Sequence, residues 1–263
     1  MQLDPRASAA GVRLIAHEVL LSTNTEALSL ARQGERGPLW IVASRQTGGR
    51  GRRGRAWVSE AGNLHASLLL TDPASAEHWP ELSFVAALAV HDAVAELVSS
   101  LRADLKIKWP NDLLMAGAKF AGVLIEGGDE AAGAVAVGIG VNCASHPKDT
   151  EYPATDLVAA GASVTAEVLF AALSAKMVGR LAQWNRGEHF STVRADWLAR
   201  ASGVGEVIFV RVADEELRGR FETLDDAGRL VLHLADGSRK PIAAGDVLAA
   251  RAAGQARRAD GKH

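Results

Sequence analysis

Residues 44–55, with the sequence SRQTGGRGRRGR, have the composition of an anion-binding loop. Five arginines and four glycines occupy these twelve positions, directly after an apolar run at residues 39–43. Glycine lets backbone N–H groups approach a ligand closely, and the planar guanidinium of arginine matches phosphate and carboxylate oxygens. We call residues 44–55 the Arg/Gly loop and expect it to bind a ligand with more than one negative centre. The alternative is a solvated, positively charged hairpin tip.

Gly49, Gly51 and Gly54 have the spacing of the dinucleotide-binding fingerprint. That fingerprint requires the third glycine to open a helix whose N-terminus receives the pyrophosphate. Here a turn-like segment follows at residues 60–63 and then a predicted strand at residues 64–70, so no helix begins where one is required. The loop is therefore not predicted to bind a dinucleotide, and the chain has no Gly-x4-Gly-Lys-Ser/Thr phosphate loop.

Four further polar features follow or open predicted strands. Residues 22–24, Ser-Thr-Asn, favour a helix cap. Residues 108–112, Lys-Trp-Pro-Asn-Asp, end in an Asn-Asp pair that can form a turn or bind Mg²⁺ and ribose. Lys119 opens an otherwise apolar segment that ends at Glu126, either as a functional cation or as a snorkelling edge lysine. Asn142 ends another apolar strand. Each signal is weak alone, whereas their order and spacing are specific.

The composition is that of an ordinary globular protein, with 48% hydrophobic and 23% charged residues. A net charge of −2 makes the Arg/Gly loop a local feature and argues against a general nucleic-acid-binding surface. The single cysteine, Cys143, excludes an intramolecular disulfide and a cysteine-cluster metal site, and we expect a buried, inert thiol. The N-terminus lacks a signal-peptide profile and no apolar run reaches ~20 residues, so we expect a cytoplasmic protein with no membrane association.

Interleaved strands and helices must position these residues. The predicted strands are residues 12–21, 39–43, 64–71, 106–109, 119–126 and 134–141, and the predicted helices are residues 25–33, 80–101, 165–185 and 189–200. Short strands then follow at residues 207–212, 217–224, 230–235 and 238–242, separated by turn residues, which predicts a small barrel. We expect a large domain at residues 1–202, a small one at 203–251 and a disordered tail at 252–263.

Together these motifs resemble the biotin protein ligase family, over about residues 12–250. The resemblance rests on residues 22–24, Gln46 with residues 49–55, and residues 108–112, 119–126 and 138–142. It implies an α+β fold, with a mixed sheet carrying helices on one face and then an SH3-like domain. It also implies a ligase that joins biotin to ATP with Mg²⁺, releases pyrophosphate, and transfers biotin from biotinyl-5′-adenylate to a lysine. That lysine belongs to a biotin carboxyl carrier domain of acetyl-CoA carboxylase or a related carboxylase.

The resemblance also assigns residues to roles. Those implied to bind biotin are Ser22, Thr23, Asn24, Gln46, Gly49, Arg50, Arg52, Trp57, Lys119 and Gly122. Those implied to bind ATP are Arg52, Arg53, Arg55, Trp57, Asn111, Asp112, Lys119 and Asn142, with Asn111 and Asp112 as the Mg²⁺ ligands. Lys119, Arg50 and Arg52 are the implied catalytic cations. Residue chemistry agrees, since a ureido ring needs donors and acceptors and two converging anions need positive charge.

Two departures from the family pattern accompany the resemblance. Leu21 stands where many family members carry an acid, a change that bears only on a secondary contact near the pocket. Only 21 residues precede Ser22, so we expect no DNA-binding domain and no specific DNA binding. A lipoate ligase or octanoyltransferase is the nearest alternative enzyme, although its acyl substrate would not need the Gln46 cluster. A nucleic-acid-binding module and an inactive biotin-binding protein are also compatible with parts of the pattern. Either Asp112 or water could accept the proton of the acceptor lysine, and the sequence allows either a monomer or a homodimer.

Overall fold

The computed structural model describes residues 1–127, 133–148 and 150–248. It divides into two compact units, Met1–Ala201 and Ser202–His263. The predicted tail at residues 252–263 lies outside the described residues, as does most of the predicted turn before residue 134.

The first unit contains a seven-stranded mixed sheet with the order β1-β2-β3-β7-β6-β5-β4, and β1 and β2 are the parallel pair among its described strands. Its strands are β1 (Arg13–Leu20), β2 (Leu39–Gln46), β3 (Leu64–Thr71), β4 (Leu105–Lys108), β5 (Asp112–Met115), β6 (Ala118–Gly127) and β7 (Ala134–Val141). The central strands β3 and β7 are almost entirely buried, which explains their predominantly apolar sequences. The sequence-based prediction missed β5, because its four residues follow a turn directly and are too few to show a period.

The α-helices described in this unit are α1 (Pro5–Ala9), α2 (Thr23–Arg32), α3 (Leu82–Leu97), α4 (Ala166–Trp184) and α5 (Phe190–Leu198). Helix α3 buries twelve of its sixteen residues, because it packs between the sheet and helices α4 and α5. The helix predicted at residues 80–101 is shorter at both ends, since Ala76–Glu81 forms a 3₁₀ segment containing Pro80. Helix α2 contacts β2, β3 and β7 and so brings its first turn to the sheet.

The second unit is an antiparallel sheet with the order β11-β10-β9-β8-β12. Its strands are β8 (Val207–Val212), β9 (Glu215–Leu224), β10 (Leu230–His233), β11 (Arg239–Ile242) and β12 (Asp246–Leu248). Val210, Phe221, Leu230 and Leu232 form its buried core. This architecture agrees with the predicted SH3-like domain. Within the described parts of both units, no helix combines the length and apolarity needed to cross a membrane.

Candidate active site

Polar side chains, most of them buried, cluster where β1 ends, α2 begins and β2 ends. Ser22 caps α2, because its hydroxyl accepts a hydrogen bond from the Thr25 backbone N–H at 3.5 Å. Oε1 of Gln46 accepts from the backbone N–H of Thr23 at 2.8 Å and lies 3.1 Å from its Oγ1. Nε2 of Gln46 donates to Oγ of Ser59 at 3.0 Å, which orients the amide. We call the polar wall the set Ser22, Thr23, Asn24, Gln46, Ser59 and Ser67.

Asn24 connects the polar wall to β6. Its Nδ2 donates to Oε2 of Glu126 at 2.8 Å, and its Oδ1 lies 2.5 Å from Oγ of Ser67. Asn24 is 4% exposed and Ser67 is fully buried. Sequence reasoning assigned Asn24 to the site but missed Ser59, Ser67 and the role of Glu126. Ser67 is a polar residue within the mostly apolar strand β3, and this is a signal that could have drawn attention to it.

The Arg/Gly loop folds back as a tight hairpin. The N–H of Gly51 donates to the Arg55 carbonyl at 2.7 Å, and the N–H of Trp57 donates to the Gly49 carbonyl at 3.0 Å. At Gly49 an added Cβ would lie 2.5 Å from Oγ of Ser59, so only glycine fits there. The 3₁₀ turn Arg52–Gly54 replaces the helix that a dinucleotide fingerprint requires, in agreement with the prediction.

Two arginines of this loop point to site residues. Nη2 of Arg50 lies 3.0 Å from Oγ1 of Thr25 and 3.4 Å from Oε1 of Glu126. Nη1 of Arg52 donates to Oδ1 of Asn111 at 3.1 Å. Arg53 and Arg55 are exposed, so their predicted contacts with the triphosphate stay a prediction.

Lys119 and Lys108 share the carboxylate of Asp112. Nζ of Lys119 is 2.5 Å from Oδ1, and Nζ of Lys108 is 3.2 Å from Oδ2. The hairpin of β4 and β5 pairs Lys108 with Asp112, and a bulge in the β5–β6 pairing accompanies the approach of Lys119. Burial raises the pKa of Asp112, but the two ammoniums outweigh this effect and hold that pKa below its usual value.

Three glycines on one side of β6 and β7 leave room above the sheet. Gly138 and Gly140 are two residues apart and so face the same side, and Gly122 pairs with Gly140 across the strands. A Cβ at Gly138 would lie 2.5 Å from Oδ1 of Asn24. We call Gly122, Gly138 and Gly140 the glycine strip. Only Gly122 was predicted as a site residue, although the i, i+2 spacing in the Gly138–Asn142 motif could have indicated the other two.

The indole of Trp57 lies on the glycine strip. A Cβ at Gly140 would be 2.5 Å from Cε2 of the indole, and Nζ of Lys119 is 5.4 Å from its ring centroid. The buried N–H of Trp57 has no hydrogen-bond partner among the described residues. The glycine strip thus runs from the polar wall, where Gly138 lies next to Asn24, to Lys119, where Gly140 lies next to Trp57. The structure brings together the predicted residues at both ends of this strip.

Asn111 and Asn142 lie at the end of the glycine strip that carries Lys119 and Asp112. Nδ2 of Asn111 donates to the Val123 carbonyl, so its Oδ1 is turned toward Arg52. Asn142 is 4% exposed at the end of β7, and its Nδ2 donates to the Thr155 carbonyl at 3.1 Å. The backbone N–H of Thr155 donates to the Lys119 carbonyl at 2.9 Å, which holds Asn142 and Lys119 in one framework.

The predicted Mg²⁺ ligands do not fit a metal site as they are arranged. Both oxygens of Asp112 face lysine ammoniums, and Oδ1 of Asn111 accepts from Arg52. A divalent cation prefers anionic oxygens with no competing positive charge nearby. Among the described residues, no cluster of three or more His, Cys, Asp or Glu side chains could hold a metal ion.

Comparisons with known proteins match both units. The model of the biotin/lipoate A/B protein ligase family matches residues 16–142, and that of the biotin protein ligase C terminal domain matches residues 205–248. A biotin–[acetyl-CoA-carboxylase] ligase of Paracoccus denitrificans is 43% identical over 235 residues, which are 86% of this chain and 96% of that protein. The enzyme of the same name from Mycobacterium tuberculosis is 33% identical over 233 residues, covering 86% of this chain and 85% of the relative.

Solved structures agree with the sequence comparisons. The biotin protein ligase of Aquifex aeolicus in complex with biotin and ATP superposes with a TM-score of 0.74. It is 26% identical, and the match covers 90% of this chain and 97% of that one. The predicted fold class is thereby confirmed.

Proposed function

The chain belongs to the biotin protein ligase family, and from this premise we propose that it activates biotin with ATP and transfers it to a carrier-protein lysine. The observation that carries the proposal is the arrangement along the glycine strip. Buried donors and acceptors lie at one end, and Lys119, Arg52 and Asp112 lie at the other. A ligand with a polar neutral ring, an apolar body and an anionic tail matches this order of chemistry.

The polar wall is proposed to bind the ureido ring. Oγ of Ser22 accepts a long capping bond, so its proton is available for the ureido carbonyl. Gln46 and Thr23 supply further groups, and their mutual hydrogen bonds hold them in place before a ligand arrives. Such preorganisation lowers the entropic cost of binding.

The cations at the other end are proposed to bring two anions together. In the first step the biotin carboxylate forms a bond to the α-phosphorus of ATP, and the bond to pyrophosphate breaks. Arg52 and Lys119 are proposed to stabilise the negative charge that accumulates as carboxylate and phosphate converge. Arg50 lies near Thr25 and Glu126 instead, and we propose that it turns toward the carboxylate when biotin binds. This role is supported by the position of Lys119 beside both Asp112 and the Trp57 ring.

The second step requires no nucleophilic side chain. The acceptor lysine amine attacks the carbonyl of the mixed anhydride, an amide bond forms, and AMP leaves. With two ammoniums in contact, Asp112 has a lowered pKa and is a weak base, so water is the better proton acceptor in this arrangement.

The same proposal includes the acceptor protein, the metal ion, and the location and oligomeric state of the enzyme. The acceptor is a biotin carboxyl carrier domain, as the names of the similar ligases suggest. Mg²⁺ is proposed to arrive bound to the triphosphate, because Asn111 and Asp112 are engaged with cations. We propose a cytoplasmic enzyme, monomeric or homodimeric, without specific DNA binding.

The decisive experiment measures pyrophosphate release with ATP, Mg²⁺ and one organic acid. Biotin should support release, whereas octanoate should not, since it has no group for the polar wall. Release with octanoate alone would favour a lipoate ligase. An octanoyltransferase would release no pyrophosphate with either acid, because a transferase takes its acyl group from an already activated donor. A protein that binds biotin without releasing pyrophosphate would be an inactive relative.

A further inference from the structure

Asp112 contacts two lysines, and one of them, Lys108, has no part in the proposed reaction. Nζ of Lys108 lies 3.2 Å from Oδ2 of Asp112, and Nζ of Lys119 lies 2.5 Å from Oδ1. Each oxygen of the carboxylate therefore faces its own ammonium. With its side chain 16% exposed against 30% for Lys119, Lys108 is the more deeply buried of the two lysines. Burial of a charge is costly, so the second lysine needs an explanation.

The fold holds the ammonium of Lys108 on two sides. The register of the β4–β5 hairpin places Lys108 directly opposite Asp112. The same ammonium lies 4.7 Å from the ring centroid of Tyr152, within the range of a cation–π contact. Lys119 reaches the carboxylate from a third strand, β6. Solvent and salt screen partly buried charges less than exposed ones, so Lys108 acts on its neighbours from a fixed position.

The charges of these three side chains do not cancel. Burial raises the pKa of Asp112, but the ammoniums of Lys119 and Lys108 hold that pKa below its usual value, so the carboxylate is ionised at neutral pH. One carboxylate and two ammoniums leave a net charge of +1. Without Lys108, Asp112 and Lys119 would form a neutral pair, and the negative charge of Asp112 would oppose any anion that approaches Lys119.

We infer that Lys108 is a positioning residue, which neutralises Asp112 and so leaves the positive charge of Lys119 to act on the anionic substrates. This inference rests on the proposed function. Lys108 acts through Asp112 and need not touch either substrate, so its effect must depend on the carboxylate. A lysine that binds a substrate anion directly would act whether or not residue 112 is charged, and this difference decides the experiments.

Single-turnover pyrophosphate release with saturating biotin and ATP provides the first test. Lys108→Met keeps an unbranched apolar stem and leaves Asp112 paired with Lys119. We expect its rate to fall about tenfold, less than the ~10²–10³ typical of a group that contacts the reacting atoms. Lys108→Arg retains the charge and should stay within about twofold of the wild type.

Lys176→Met is the matched control for this measurement. Lys176 also pairs with a carboxylate, that of Glu96, but it lies on α4, outside the site. The control should release pyrophosphate at the wild-type rate. A Lys108→Met variant with the rate of this control, or an equal loss in Lys108→Arg, would overturn the inference.

Calorimetric titration with biotin then shows whether Lys108 acts through Asp112. The four proteins of a double-mutant cycle are the wild type, Lys108→Met, Asp112→Asn and the double variant. Lys108→Met should weaken biotin binding about fivefold when residue 112 is Asp and less than about twofold when it is Asn, because the amide has no charge to neutralise. Equal factors in both backgrounds would show that Lys108 acts on the ligand itself and would overturn the inference. Binding is measured rather than turnover, so the cycle does not require an active Asp112→Asn variant.

Titration with biotin methyl ester separates charge from structure. The ester lacks the anionic tail, so its affinity should be the same in all four proteins, and an equal loss for ester and acid would overturn the inference. If Lys108→Met does not fold, Lys108→Gln, which offers Asp112 a neutral donor, takes its place with the same expected losses. A wild-type protein without biotin-dependent pyrophosphate release would overturn the proposed function itself, whereas an active wild type with unaffected Lys108 variants would overturn only this inference.

Discussion

Replacing Lys119 with alanine should nearly abolish adenylate formation. A positioned group that stabilises transition-state charge typically contributes ~10²–10³ in rate, or about 3–4 kcal/mol. The ammonium of Lys119 lies 2.5 Å from Asp112 and 5.4 Å from the Trp57 ring centroid, so it has the fixed position that such an effect requires. Arg50 and Arg52 remain in the variant, so a residual rate should persist above that of a reaction without protein.

The same substitution should cost little stability. Asp112 keeps Lys108 at 3.2 Å, so its carboxylate is not left as an unpaired buried charge. Removing one partner of a fully buried pair costs about 3–5 kcal/mol, whereas a partly exposed pair contributes about 1 kcal/mol or less. With its side chain 30% exposed, Lys119 lies nearer to the second case.

The assay is single-turnover pyrophosphate release with saturating biotin and ATP, combined with thermal unfolding followed by circular dichroism. Lys106→Ala is the matched control, because Lys106 is an exposed lysine of the same sheet, on β4, which is separated from β6 by β5. The control should retain wild-type activity. Near-wild-type release by Lys119→Ala would refute the role of Lys119, and loss of activity together with loss of the folded spectrum would refute the argument about Asp112.

The Arg/Gly loop, the buried thiol and the glycine strip can each be tested directly. Trypsin should cleave the Arg/Gly loop more slowly when biotin and ATP are present, because bound anions should hold its arginines in place; equal rates would contradict this. Burial raises the pKa of Cys143 to about 12, so iodoacetamide at pH 8 should label it only after unfolding, and rapid labelling of the native protein would show the thiol to be accessible. Gly140→Ala should weaken biotin binding at least tenfold by displacing Trp57, whereas Gly179→Ala, where a Cβ has open space, should bind normally; equal affinities would remove the glycine strip from the site.

Elements with strong local signals could be predicted from the sequence. Strands β3 and β7 were predicted with their observed bounds, because their apolar runs end at polar or turn-forming residues. Helix α2 begins two residues earlier than predicted, since Ser22 alone forms the cap and Thr23 already lies in the helix. The 3.6-residue and two-residue periods thus indicated element type well and the ends less well.

Contacts between distant strands could not be predicted in the same way. Asn24 and Glu126 are 102 positions apart, and their hydrogen bond depends on the strand order that places β6 next to β7 and on the packing of α2 against β7. The polar pair at residues 111–112 suggested metal ligands because carboxylate and amide oxygens suit Mg²⁺. No local pattern indicates that Lys119 reaches Asp112, because the register shift in the pairing of β5 with β6 that accompanies this contact has no sequence signal of its own.

In these contacts, acidic side chains of the protein hold the cations of the site. Without substrates, Lys119 and Lys108 pair with Asp112, while Arg50 lies near Glu126. Each of these cations is thus held by the protein's own acceptors, which limits the repulsion among them in a chain whose net charge is only −2. Cations already drawn together need less reorganisation as the two anions approach, which is the condition for efficient electrostatic catalysis.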